Sequence, residues 1–321
     1  GYEGRIAAQV QQRREAQLAA VMEAAIPEIL TLSPEDAATD RWIQRSLSQA
    51  SDHLSQVRDR IFERLQPQRH QVILCVNSHG LLVWEAVRRA PEGGVYVAVT
   101  DKEQIALEEQ ASLLPELRQP IFLPPLEAIA AGLDLAFDGI VGRNLLLNAA
   151  DRAATVTALA SLIGPDTTIL LAESLPKDAQ RISQLLTLPH GVGDRLIEAE
   201  NTLYDSDPSL AWGRDDLVQL FEGSGLTVEV QEERLPVELY LSPGLVSRWV
   251  EPGQKMPSYR DRLAPLLSPQ DLEVVCRGVR SLTHQTVSWE TQLAFVQLTV
   301  GSSNSSTGHG SGNREGGMRA T

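Results

Sequence analysis

Four short stretches hold the residue types that could do chemistry. The turn Val76-Asn77-Ser78-His79-Gly80 joins an apolar run to a helical one, and Asp101 follows the next apolar run. Glu127 comes after Pro124-Pro125, and Arg143-Asn144 closes a later apolar stretch. Strand, glycine-bearing turn and helix together form the layout in which main chain approaches a nucleotide-like cofactor, because the free N–H groups of the helix start face its polar end. An acid roughly 20 residues beyond such a turn binds a ribose hydroxyl in dinucleotide sites, and Asp101 stands near that offset. His79 carries a ring that can act as a general base near neutral pH.

Each of these residues also has an ordinary reading. The turn holds one glycine, Gly80, where cofactor turns use several. His79 has no acid beside it in sequence and fits a solvated loop histidine. Asp101 fits an acid opening the next helix, where it meets the positive helix end. Glu127 fits a loop acid, and Asn144 fits a cap on the helix that follows. His53, His70, His190, His284 and His309 are scattered without ligand spacing, and Cys75 and Cys276 form neither a metal motif nor a disulfide framework. Trp84, Trp212, Trp249 and Trp289 read as core or interface anchors.

The elements that must position these groups follow from hydrophobic period. Residues 2–25 have a helical pattern ended by Pro27, and a second helix begins after Ser33-Pro34-Glu35 and carries Trp42, Ile43, Leu47, Leu54, Val57, Ile61 and Leu65 on one face. From Gln71, strands alternate with helices: strands over 72–76, 95–100, 121–123, 139–141 and 167–173, and helices over 81–89, 103–114 and 150–162. That alternation predicts a parallel, doubly wound α/β sheet with helices on both faces. Later, a helix over "RDDLVQLFEGSG" precedes a strand "LTVEVQEERLPV", and a strand "TQLAFVQLTV" closes the folded part, so a late antiparallel hairpin is expected at the sheet edge. The stretch between them reads as helical, punctuated at Ser242-Pro243-Gly244 and Ser268-Pro269. The Gly/Ser-rich tail 301–321 is too polar to fold.

Composition limits the partners. The 321 residues carry a formal charge of −14, which argues against a broad surface for phosphate and against sequence-specific DNA reading by this chain alone. No apolar run is long enough to span a membrane, and the polar start lacks a signal peptide, so a cytoplasmic location is the expectation.

Two resemblances sharpen this picture. "FDGIVGRNLLLNAADRAATVTALASLIGPDTTILLAE" resembles the fourth strand, helix and fifth strand of class I S-adenosylmethionine (SAM)-dependent methyltransferases, and "DDLVQLFEGSGLTVEV" is similar to their late helix, turn and sixth strand. The likeness covers most of 71–301 and implies a mainly parallel methyltransferase-like sheet, with SAM as the possible cofactor. It would place Asn77, Ser78 and Gly80 at the cofactor's methionine end, Asp101 at its ribose and Glu127 at its adenine. Asn144 or His79 would be the residues that orient a nucleophile. Laid on the family's Asp-x-Gly-x-Gly-x-Gly turn, however, the acid position holds Leu74, and the glycine positions hold Val76, Ser78 and Gly80. The departure puts SAM binding in doubt and implies a degenerate binding or regulatory module; the alternative is an active methyltransferase of unknown acceptor. A dinucleotide site is the neighbouring reading, but its G-x-G-x-x-G is matched no better.

The start, "GYEGRIAAQVQQRREAQ", resembles the last helix of the replication-associated recombination AAA+ ATPases of the RarA/MgsA family. Cyanobacterial members of that family carry an extra C-terminal domain after this helix, which implies a replication/recombination ATPase as fused or separate partner. The expected organisation is a terminal helix over 1–26, a helical lead-in over 27–70, a methyltransferase-like domain over 71–300 with a helical insertion at 240–290, and the tail at 301–321.

Overall fold

A computed structural model describes residues 53–76, 80–112, 114, 116–130, 132, 135–253 and 256–300. The expected terminal helix over 1–26, most of the lead-in and the tail lie outside the described residues. So do Asn77, Ser78 and His79.

The frame is a seven-stranded sheet of order β3-β2-β1-β4-β5-β7-β6. Helix α1 spans 53–65. Then come β1 (Val72–Val76), α2 (Leu81–Arg89), β2 (Gly94–Ala98), α3 (Asp101–Ala111), β3 (Ile121–Leu123), α4 (Leu126–Ala130), β4 (Gly139–Arg143), α5 (Arg152–Leu162) and β5 (Thr168–Ser174). These five strands are parallel. They are followed by α6 (Val192–Ser206), α7 (Arg214–Leu220), β6 (Leu226–Tyr240), α8 (Pro243–Val250), α9 (Tyr259–Leu263), α10 (Pro269–Ser281) and β7 (Thr286–Val300). Strand β7 lies antiparallel between β5 and β6. The chain therefore has the expected doubly wound, mainly parallel methyltransferase-like sheet, with its late antiparallel pair at one edge.

Each face buries its own core because the central strands are apolar on both sides. One face packs Leu74, Val76, Ile140, Leu171, Ala294 and Val296 against α4, α5 and α7. The other packs Ile73, Cys75, Val141, Ala172 and Phe295 against α1 and α2. Helix α1 lies on this second face as the amphipathic pattern requires, with Leu54, Val57, Ile61 and Phe62 buried. Its outer side is pinned to the late strands: Arg64 stacks 4.3 Å from the Phe295 ring centroid and pairs with Glu233. Burial pushes the Cys75 thiol far up, so it stays protonated and acts as a small apolar residue.

Three local differences from the sequence reading have physical causes. Helix α3 starts at Asp101, not Glu103, because Thr100 and Glu103 form a capping box: Thr100 N–H and Oγ1 both donate to Glu103 Oε2, at 2.9 and 2.8 Å. The late strands are 15 residues each, longer than their sequence cores. Their pairing continues to Tyr240–Thr286, whereas β5 leaves β7 at Ser174–Leu293, so the pair projects past the C-terminal end of β5. Helix α6 was not legible as a separate element. It joins α8, α9 and α10 on this projection around Trp249, Leu245, Leu203, Val275 and Trp289, a third core with few ties to the sheet.

The insertion between β6 and β7 is helical over 243–281, and strand resumes at Thr286, so its last residues are sheet. The Ser-Pro signals begin its helices: Ser242 accepts from Leu245 N–H and Ser268 from Asp271 N–H. Among the described residues, no helix is long and apolar enough to cross a membrane.

Candidate functional site

The C-terminal ends of β1, β2, β4 and β5 form one edge of the sheet, where open α/β sheets bind ligands. Gly80 stands there at φ 89°, in the left-handed region, and its N-cap position starts α2. A Cβ at Gly80 would come within 3.1 Å of Leu107 Cδ2, so the residue meets both a backbone and a packing demand that glycine alone satisfies. Leu74 is fully buried and Val76 is 1% exposed, both in the sheet core. Val76 is paired with Gly142 in β4, and its side chain fills the space above that glycine: a Cβ there would lie 2.7 Å from Val76 Cγ2. A hydrophobic core contact thus occupies the strand end where a cofactor-cradling glycine would stand.

The other candidates are placed as follows. Asp101 is an exposed residue of the first turn of α3, next to the Thr100–Glu103 cap. Glu127 lies in the first turn of α4 and accepts from Thr155 Oγ1 at 3.3 Å, which ties that helix to α5. Asn144 is 2% exposed and sits at φ 47°, a conformation asparagine tolerates better than most residues. Its Oδ1 accepts from Ser174 N–H at 2.8 Å, and its N–H donates to Ala172 O at 2.8 Å. Asn144 therefore bolts β4 to β5 at the edge, and Arg143 beside it is buried. The edge brings Gly80, Arg143 and Asn144 to neighbouring strand ends; Glu127 is engaged on α5 instead.

Two buried titratable groups at this edge escaped sequence reasoning. Glu173 ends β5 with no exposed surface, and its carboxylate accepts from Leu146 and Leu147 N–H, both at 3.1 Å. Burial outweighs those bonds and the nearby Arg143, pushing the Glu173 carboxyl up to about 7. His53, at the start of α1, is 4% exposed, and neither ring nitrogen has a hydrogen-bond partner. Burial first, then the charge of Arg143, lowers it to about 4, so its ring is neutral. The available signals were slight: an acid closing the apolar run "TILLAE", and a histidine adjoining the apolar face of a helix.

Among the described residues, no three His, Cys, Asp or Glu stand together as metal ligands. A cavity of about 340 Å³ lies elsewhere, at the projecting β6–β7 pair, lined by Asp178, Gln180, Gln184, Arg234, Glu290 and Gln292. Its walls are charged and amide groups bonded to one another, as in Arg234 Nε donating to Gln292 Oε1 at 3.0 Å.

No family model matches the chain, and no curated protein matches it. Solved structures similar in fold include the YcgJ protein of Bacillus subtilis, with 15% identity, covering 76% of this chain and 96% of that one, at a TM-score of 0.45. Phosphoethanolamine N-methyltransferase 2 of Haemonchus contortus, solved with phosphomonomethylethanolamine and S-adenosylhomocysteine, is 12% identical over 76% of this chain and 52% of that one, TM-score 0.42. The [4+2]-cyclase SpnF is 13% identical over 76% and 80%, TM-score 0.43. At such identities and TM-scores these likenesses carry no inference about activity.

Proposed function

We propose that this chain, a methyltransferase-like α/β domain, serves as a binding or regulatory module for a AAA+ ATPase of DNA replication and recombination, and not as a methyl-transferring enzyme. One observation carries the loss of catalysis: Val76 is packed on Gly142 at the strand end where a SAM turn needs open main chain. Leu74, buried where the family pattern has its acid, supports the same reading. The residues of this strand end do not fit SAM, because a β-branched side chain and an apolar one replace the groups that would approach it. The exposed Asp101, beside a completed helix cap, is accounted for without a ribose. Support for the ATPase partner is the likeness of residues 1–17 to the ATPase terminal helix.

The alternative, an active SAM-dependent methyltransferase of unknown acceptor, draws on the left-handed Gly80, the one glycine of the turn pattern that is kept. Calorimetric titration with SAM and S-adenosylhomocysteine separates the two. The module reading expects no measurable heat of binding. A micromolar dissociation constant abolished by Asp101→Ala would overturn it. The partner is tested separately, by co-sedimentation of the full chain with a purified ATPase of that family; independent sedimentation would remove the ATPase from the reading.

A further inference from the structure

The residues after β4 make one helical turn, closed by Asn148 N–H donating to Asn144 O at 3.1 Å. Such a turn leaves its first N–H groups without partners inside the turn. Here they are met by a side chain from the neighbouring strand. Leu146 N–H donates to Glu173 Oε1 and Leu147 N–H to Glu173 Oε2, while Arg152 Nε donates to the carbonyl of Leu146 at 3.1 Å. Glu173 is therefore the clasp between β5 and the turn that follows the Arg143–Asn144 edge.

The clasp is fully buried in an apolar setting. Around the turn stand Leu146, Leu147, Leu175, Trp212 and Ala294. The charged groups near it are Arg143 on β4, which favours the carboxylate, and Arg152 on α5, which is engaged with the Leu146 carbonyl and stacked 4.2 Å from the Trp212 ring centroid. The groups contributed by β7 and the Leu175–Trp212 side are not titratable. A carboxylate held mainly by main-chain N–H groups, without exposed surface, gains by reaching water.

We propose that the 144–148 turn opens to water when Glu173 ionises, so that the C-terminal edge of the sheet is proton-sensitive: closed around a neutral Glu173, and more often open around a charged one. The sign follows from linkage. In the closed state Glu173 titrates at about 7, against an ordinary value of 4.5 once exposed. Closed chains thus hold the proton that open chains release between those values, and opening grows as pH rises through that window and levels off above it. The ceiling on the change is about 300-fold, and the part between pH 6 and 8 is about tenfold.

The test is amide hydrogen exchange of the full chain at pH 6 and pH 8, corrected for intrinsic base catalysis, reading the amides of 145–148 with those of α10 as reference. Opening at 145–148 is expected to rise about tenfold in the unmodified protein, to stay flat in Glu173→Gln, and to leave the α10 amides unchanged. A pH-independent turn, or an equal rise in Glu173→Gln, overturns the proposal. Should the variant fail to fold, carbon-detected titration of the Glu173 carboxyl in the unmodified protein decides: a midpoint near 7 supports the clasp, and one near 4.5 overturns it.

Discussion

Val76 and Gly142 exchange volume across the β1–β4 ladder: a Cβ on Gly142 would lie 2.7 Å from Val76 Cγ2 and 2.9 Å from Val76 O. The strand end that would hold a cofactor turn in the resembled family is here solid core, made possible by a glycine on the adjacent strand. Gly142→Ala should destabilise by about 1–3 kcal/mol through overpacking, read by denaturant unfolding. In a Val76→Ala background the cost should fall without vanishing, because the close contact with the Val76 carbonyl remains. Strict additivity of the two changes would show that the contact is not the cause.

The same pair changes how restoration of the turn must be attempted. Val76→Gly alone removes a buried side chain from a strand, costing about 2–3 kcal/mol. Because the lost volume faces Gly142, the single change should lower the thermal midpoint and gain no affinity for SAM. Micromolar binding by Val76→Gly would mean that this side chain was the whole obstacle.

Thr100→Ala should cost about 1 kcal/mol, because it removes the cap that starts α3. Asp101→Ala should cost no more than about 0.3–1 kcal/mol, the worth of an acid in the first helical turn. Paired urea titrations compare them. A larger loss at Asp101 than at Thr100 would indicate that Asp101 has a structural partner beyond the helix end.

His53 makes stability pH-dependent in the acid range. Its folded value of about 4 lies below the ordinary 6.5, so the unfolded chain takes the proton first. The stability it permits is complete above pH 6.5 and is lost as pH falls toward 4, by at most about 3 kcal/mol. Replacing it by leucine should flatten that part of the stability–pH curve. An unchanged slope would mean that His53 is charged or solvated in the fold. Glu173 acts with the opposite sign, because its folded value is raised.

In the helical projection, Tyr259 Oη donates to Glu200 Oε1 at 2.6 Å, and Ser183 N–H donates to the same oxygen at 3.1 Å. Burial and the adjacent Glu200 raise the Tyr259 phenol far above its usual range, so it remains a donor. Tyr259→Phe should therefore destabilise by about 1–3 kcal/mol, the cost of weakening a buried carboxylate's shell. Denaturation followed by tryptophan fluorescence reads it, since Trp249 and Trp289 lie in that core. A neutral outcome would indicate that water replaces the hydroxyl.

Period and punctuation alone determined the strand–helix alternation, the placement of β1 and α2, the late antiparallel pair and the helical stretch before β7, because these rest on local burial patterns that each segment carries within itself. The missing acid and glycines at Leu74 and Val76 were also plain in the residues. What only the tertiary structure decided are the relations between segments distant in the chain. Gly142 answers Val76 across a strand pair, and Glu173 clasps a turn about 26 residues away in sequence. Asn144, legible as a loop polar group, proved to bolt β4 to β5. Side-chain chemistry is set by what surrounds a group. A glutamate that ends an apolar strand reads as an ordinary surface acid until folding removes its water, and a histidine beside a helical stripe reads as solvated until the sheet covers it.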